Sequence, residues 1–138
     1  MTLANDCSGG KLQYSPAPIA AATDGVVEVT VAMDVAGVPV YREVENAARE
    51  AFAFAVGLVG SDDYTNVIFV VSREAAWDGA AAYAYVNGKV SFFRDTYIML
   101  PGVVMHELGH NWGLRHSGEP NQDLAAYNDH TCLMGNPR

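Results

Sequence analysis

A chain of 138 residues, half of them apolar, is long enough to bury one core and short enough that a single domain, as a monomer, is expected. Its sixteen acidic residues against eight basic ones leave a formal charge of -8, which repels phosphate backbones and anionic lipid surfaces and argues against nucleic acid or membrane as partners. No stretch has the unbroken apolar length that spans a bilayer, and the opening MTLANDCSGG lacks the charged and apolar blocks of a signal peptide, so an exported product would carry its targeting segment outside this chain.

Residues 1–24 are rich in Gly, Pro, Ser and Ala without a sustained period and read as an irregular N-terminal arm, leaving 25–138 as the folded domain. The chain has two cysteines, Cys7 in the arm and Cys132 near the end. A bridge between them would close a long loop and suit an oxidising compartment; two unrelated thiols is the alternative. Residues 26–33 alternate Val26, Glu28 and Thr30 against Val27, Val29 and Val31, the period of a strand with one buried face. Residues 42–58 then place Val44, Ala47, Ala48, Ala51, Phe52 and Ala55 at helical spacing opposite Arg42, Glu45 and Arg49, with Gly60 as the stop. Residues 66–71 are a short apolar run that fits a strand buried on both faces, so strand, helix and strand suggest a parallel crossover.

Downstream, the runs 81–86 and 89–93 flank Asn87-Gly88, a dipeptide suited to a two-residue type I′ turn, and predict an antiparallel hairpin. The strand Ala81, Ala82, Tyr83, Ala84, Tyr85 and Val86 offers an edge along which a peptide substrate could add as a further strand. From Pro101 to Trp112 the pattern is helical again, with Gly113 suited to the left-handed position past the end. Everything after Gly113 reads as loop.

Chemistry concentrates in one string. Three of the four histidines fall in His106-Glu107-Leu108-Gly109-His110-Asn111-Trp112-Gly113-Leu114-Arg115-His116, an H-E-x-x-H-x-x-G-x-x-H pattern. On a helix turning about 100° per residue, His106 and His110 stand one turn apart and can grip one ion. Catalytic Zn²⁺ takes three protein ligands, and His116 supplies the third if the helix stops at Gly113, which without a Cβ can swing the chain back. Glu107 points to a different side of the helix, where it would act as general base on a metal-activated water and then protonate the leaving amine. A bare H-E-x-x-H arises by chance and a helical His is often only a satisfied polar residue; the extension to Gly113 and His116 carries the metal reading.

This eleven-residue string resembles the metzincin signature. The following Tyr127-Asn128-Asp129-His130-Thr131-Cys132-Leu133-Met134-Gly135 is similar to the gametolysin-type branch, whose pattern runs Y-x-D-x-S/T-x-x-M-G. The resemblance spans roughly residues 26–135 and implies an α/β fold of α+β-like mixed-sheet type, a zincin-like catalytic core with an active-site helix and a Met-turn. Met134 would then form an apolar floor under the metal, and the activity would be that of a secreted zinc endopeptidase acting on polypeptides such as extracellular matrix or cell-wall glycoproteins. Tyr127 and Asp129 match fixed positions but are read first as loop structure, and His130 matches a variable one and is read as a solvated loop His rather than a ligand. The chain stops four residues after Met134, so the catalytic domain is expected to be truncated after the Met-turn. That departure admits a rival, a zinc-stabilised peptide- or protein-binding module derived from such an enzyme; Glu107 disfavours it.

Overall fold

A computed structural model describes residues 5–6, 8–35, 41–57, 64–75, 79–118, 127 and 129–135. Helix α1, Tyr41–Ala55, buries Val44, Glu45, Ala48 and Phe52, one stripe at helical spacing. It ends three residues before the expected limit because Gly57 already takes φ +83°, a conformation open to it without strain. Gly60 lies outside the described residues. Three strands follow: β1 (Val67–Val71), β2 (Ala82–Ala84) and β3 (Val90–Arg94), in the order β1-β3-β2. β1 runs parallel to β3 with Phe69 opposite Phe92, and β2 runs antiparallel with Tyr83 opposite Phe92. The sheet is therefore mixed, and the molecule is a small mixed α/β structure.

Central β3 is sandwiched, and its pleat assigns alternate residues to two helices. Val90 and Phe92 join Ala48 and Phe52 of α1 and Phe69 of β1 in the core. Phe69 stacks on Phe92 at 4.9 Å, Tyr83 stacks on its other side at 5.1 Å, and Phe52 meets Phe69 edge-on at 5.8 Å. Ser91 faces the opposite way, toward helix α2, Pro101–Asn111. A 3₁₀ turn, Asp95–Met99, joins β3 to α2, and Pro101 occupies a first-turn position where its missing N–H costs nothing.

Three expectations are corrected. Residues 26–33 form no strand of the sheet, and the crossover built on it is absent among the described residues. The alternation survives as burial, with Val27, Val29, Val31 and Met33 half-buried between exposed neighbours. The ladder fails because Val26 pairs instead with Thr23 across Asp24 and Gly25, both at positive φ, the type I′ turn that an Asp-Gly pair favours. The partner side of that turn carries Pro16 and Pro18, which have no N–H to extend it. β1 is buried on one face only: Ile68 and Val70 are 40% and 54% exposed. The Asn87-Gly88 hairpin exists, but only Asn87 has positive φ, and the turn closes through Gly88 N–H donating to Tyr85 O at 2.9 Å. β2 therefore stops at Ala84, short of the expected 81–86.

Candidate metal centre and cleft

α2 ends in a Schellman motif. Leu114 N–H donates to Gly109 O and Gly113 N–H to His110 O, both at 2.9 Å, with Gly113 at φ +93°. This reversal returns the chain to the helix, and His116 Nε2 comes to 3.0 Å from His110 Nε2. With His106 the three rings form one group whose ligand atoms lie within 4.8 Å of one another. The outer nitrogens are committed elsewhere: His106 Nδ1 donates to Leu133 O and His110 Nδ1 to Leu114 O, each at 2.8 Å. A carbonyl can only accept, so these contacts put the proton on Nδ1 and leave Nε2 as a lone pair facing the cluster. Burial holds His106 and His116 below the ordinary imidazole range, with His110 beside each adding to it, which favours the neutral, ligating form. Two nitrogens on one tetrahedral zinc stand about 3.3 Å apart, so the donor set fits such an ion. His130 stands outside the group.

Glu107 lies one residue from His106 and on the same cleft. It is 5% exposed, its Oε2 meets no hydrogen-bond partner among the described residues, and burial pushes its carboxyl up to about 7. An acid kept buried and half-unpartnered is costly as a fold element and suited to proton transfer near neutral pH.

The cleft encloses about 550 Å³. Ala81 and Ala82 of the hairpin form one wall, and Leu100, Pro101 and Val103 at the start of α2 form another. Of the six residues expected along a substrate edge, Tyr83 and Tyr85 turn their side chains away from it. Their hydroxyls donate to Glu45 Oε2 at 3.1 and 2.7 Å, while Arg49 holds Glu45 Oε1 at 2.8 Å. Burial, then Glu45, pushes the Tyr85 hydroxyl up to about 12 and that of Tyr83 higher still. The two tyrosines thus clamp the hairpin to α1, and Ala81 and Ala82, just before them, line the cleft.

Met134 is 5% exposed and packs under α2: a Cβ on Gly109 would meet its Sδ at 2.5 Å. The loop carrying it is built by Asp129, whose Oδ1 accepts from Thr131 N–H, Thr131 Oγ and Cys132 N–H at 2.8–3.1 Å. Thr131 chiefly holds that carboxyl below its usual range, and the loop-building reading of Asp129 is borne out. Tyr127 does more than loop work. Its ring lies 3.9 Å from that of His116 and 6.0 Å from that of His106, and it lines the cleft beside Glu107. Sequence reasoning left it a structural role; its fixed place in the Y-x-D-x-T pattern was the available signal. Asn111 was missed altogether. It is buried between His110 and Gly113, and nothing in its identity distinguishes a four-bonded amide from a surface one.

Cys132 is a free thiol among the described residues, and Cys7, the other half of the expected bridge, lies outside them. No helix among the described residues is long and apolar enough to cross a membrane.

A family model described as Gametolysin peptidase M11 matches residues 3–138 of the chain. Comparison with curated proteins and comparison with solved structures give no match.

Proposed function

The chain belongs to the gametolysin peptidase M11 family, and on that premise we propose that it is a zinc-dependent endopeptidase of metzincin type. His106, His110 and His116 would hold the metal, Glu107 would serve as general base and Met134 as the Met-turn floor. The observation that carries this reading is the convergence of one ring nitrogen from each of three histidines, all within 4.8 Å of one another, beside a buried carboxylate on one cleft. When bound, Zn²⁺ supplies Lewis acidity, lowering the pKa of a water and polarising the substrate carbonyl.

The chain's own residues do the rest. Glu107 accepts the proton of the attacking water and passes it to the leaving amine, and its pKa near 7 makes both transfers accessible at neutral pH. The short β2 edge with Ala81 and Ala82 presents backbone to an extended peptide, while the apolar lip at Leu100 and Val103 excludes water around it. The substrate is a polypeptide, with extracellular matrix or cell-wall glycoproteins as the proposed class and an extracellular location to match. A binding module that merely uses zinc for stability has no need of a buried Glu107 whose Oε2 meets no partner among the described residues.

A quenched-peptide or casein assay with and without a zinc chelator tests the reading. Hydrolysis should stop on chelation and return with Zn²⁺; cleavage that persists in the chelator would remove the metal mechanism, and no cleavage in zinc-loaded protein would leave the binding module.

A further inference from the structure

The last turn of α2, which carries His110, is held by a polar clamp built from three separate parts of the chain. Asn111 is its hub. Its Oδ1 accepts from Asn66 Nδ2 and from Ser91 Oγ, each at 2.9 Å, and its Nδ2 donates to Tyr85 O and Val90 O, each at 3.2 Å. All four bonds of the amide are made, and because two partners are carbonyls its orientation is unambiguous. Next to it, Asn87 N–H donates to His110 O at 2.9 Å.

The clamp continues outward to the N-terminal arm, and every direction along it is forced. Trp112 Nε1, which can only donate, gives its proton to the Tyr14 hydroxyl at 3.0 Å. Tyr14 must then spend its own proton on Asn66 Oδ1, 3.0 Å away, and Asn66 passes its Nδ2–H to Asn111. The chain Trp112, Tyr14, Asn66, Asn111 begins and ends on the same turn of α2 and encloses it.

Placement of the metal donors depends on this turn. His110 sits within it, and His116 is reached only through it, by way of the Schellman reversal. His106 lies one turn earlier on the same helix, and its ring is also held from outside the helix by Leu133 O. The position of His116 relative to the two helical rings is therefore set by how the last turn of α2 and the reversal after it are held. We propose that Tyr14 of the N-terminal arm is a positioning residue of the metal site, acting through Asn66 and Asn111 on the turn that carries His110. This rests on the metallopeptidase reading above.

The test uses the full chain, as wild type, Tyr14→Phe and Asn66→Ala, with Co²⁺ as the probe. Tyr14→Phe removes one hydroxyl at the outer end of the clamp and keeps the ring, so it remains informative even if Asn66→Ala fails to fold. Direct partners of metal ligands change affinity by about 10- to 100-fold, and Tyr14 acts further out, so Zn²⁺ binding in competition with a chromophoric chelator should weaken about three- to tenfold. The visible d–d bands of the Co²⁺ form should change, reporting altered donor geometry. Amide exchange in metal-free protein should quicken at residues 111–114 and not in α1. Spectrum and affinity equal to wild type in Tyr14→Phe would overturn the proposal alone, and so would exchange that quickens equally through α1. Wild-type protein that binds no Co²⁺ would overturn the metallopeptidase reading and the proposal with it.

Discussion

Glu107 concentrates opposing demands in one side chain. Its carboxylate must be charged to accept a proton, yet burial raises its pKa from 4.5 to about 7. In metal-free protein the folded state therefore binds more protons than the unfolded chain between about pH 4.5 and 7. Stability contributed by the neutral acid is full below the lower value and declines as pH rises through this window, by roughly 2–3 kcal/mol. Urea unfolding of the metal-free protein at a series of pH values should show that decline as the difference between wild type and Glu107→Gln, because His106 and His116, held below the imidazole range, add a rise with pH to both. The same substitution should abolish peptide hydrolysis while leaving zinc stoichiometry at one, measured by metal analysis, because the carboxylate moves protons and is not one of the three convergent donors. Retained hydrolysis would refute its role as base.

At the scale of elements, α2 is fitted on one side to Met134 and at its end to the hairpin, and glycines make both fits possible. In an exposed helix Gly→Ala stabilises by about 1 kcal/mol. At Gly109 the added methyl would meet Met134 Sδ at 2.5 Å, so the sign should reverse to a loss of about 1–3 kcal/mol. In a Met134→Ala background the clash is gone and the helix gain should return, a coupling that a double-mutant denaturation cycle measures directly. Gly113→Ala faces two obstacles, φ +93° and Asn87 Oδ1 at 2.5 Å from the new Cβ. It should cost more than about 1 kcal/mol and, because His116 depends on that reversal, weaken zinc binding as well. A chelator titration that leaves zinc affinity unchanged in Gly113→Ala would separate the reversal from the site. The core behaves more simply: Phe92, fully buried between Phe69 and Tyr83, should cost about 3–5 kcal/mol when cut to Ala in the same denaturation assay.

Over the whole molecule, metal and fold are linked, since the proposed ligands tie α2 to the loop beyond it. A ligand that binds only the folded state stabilises it by about 2.7 kcal/mol at one hundred times its Kd, so zinc should raise Tm and a chelator lower it in a thermal scan. An unchanged Tm would show that zinc does not bind the folded state in preference to the unfolded chain, against the proposed ligand set. Much of this architecture was legible beforehand where the signal is local. The stripe of α1, the extent of α2, the Asn-Gly hairpin and the spacing of His106, His110 and His116 all follow from periods and turn preferences within a dozen residues. What was not legible depends on neighbours distant in sequence. Residues 26–33 have the period of a strand, but a ladder needs a partner, and the Asp24-Gly25 turn directs them to a Pro-bearing arm instead. Nothing in the local alternation shows that Tyr83 and Tyr85 give their hydroxyls to Glu45, some forty positions earlier. Asn111 looks like a spacer in the histidine string until Asn66, Ser91 and two hairpin carbonyls close around it. The sequence by itself determined which residues can bear the chemistry, because ligand type and helical pitch are local properties. Only the tertiary structure decided which polar groups hold them there, because hydrogen-bond partners are assigned by packing between segments that the chain order keeps apart.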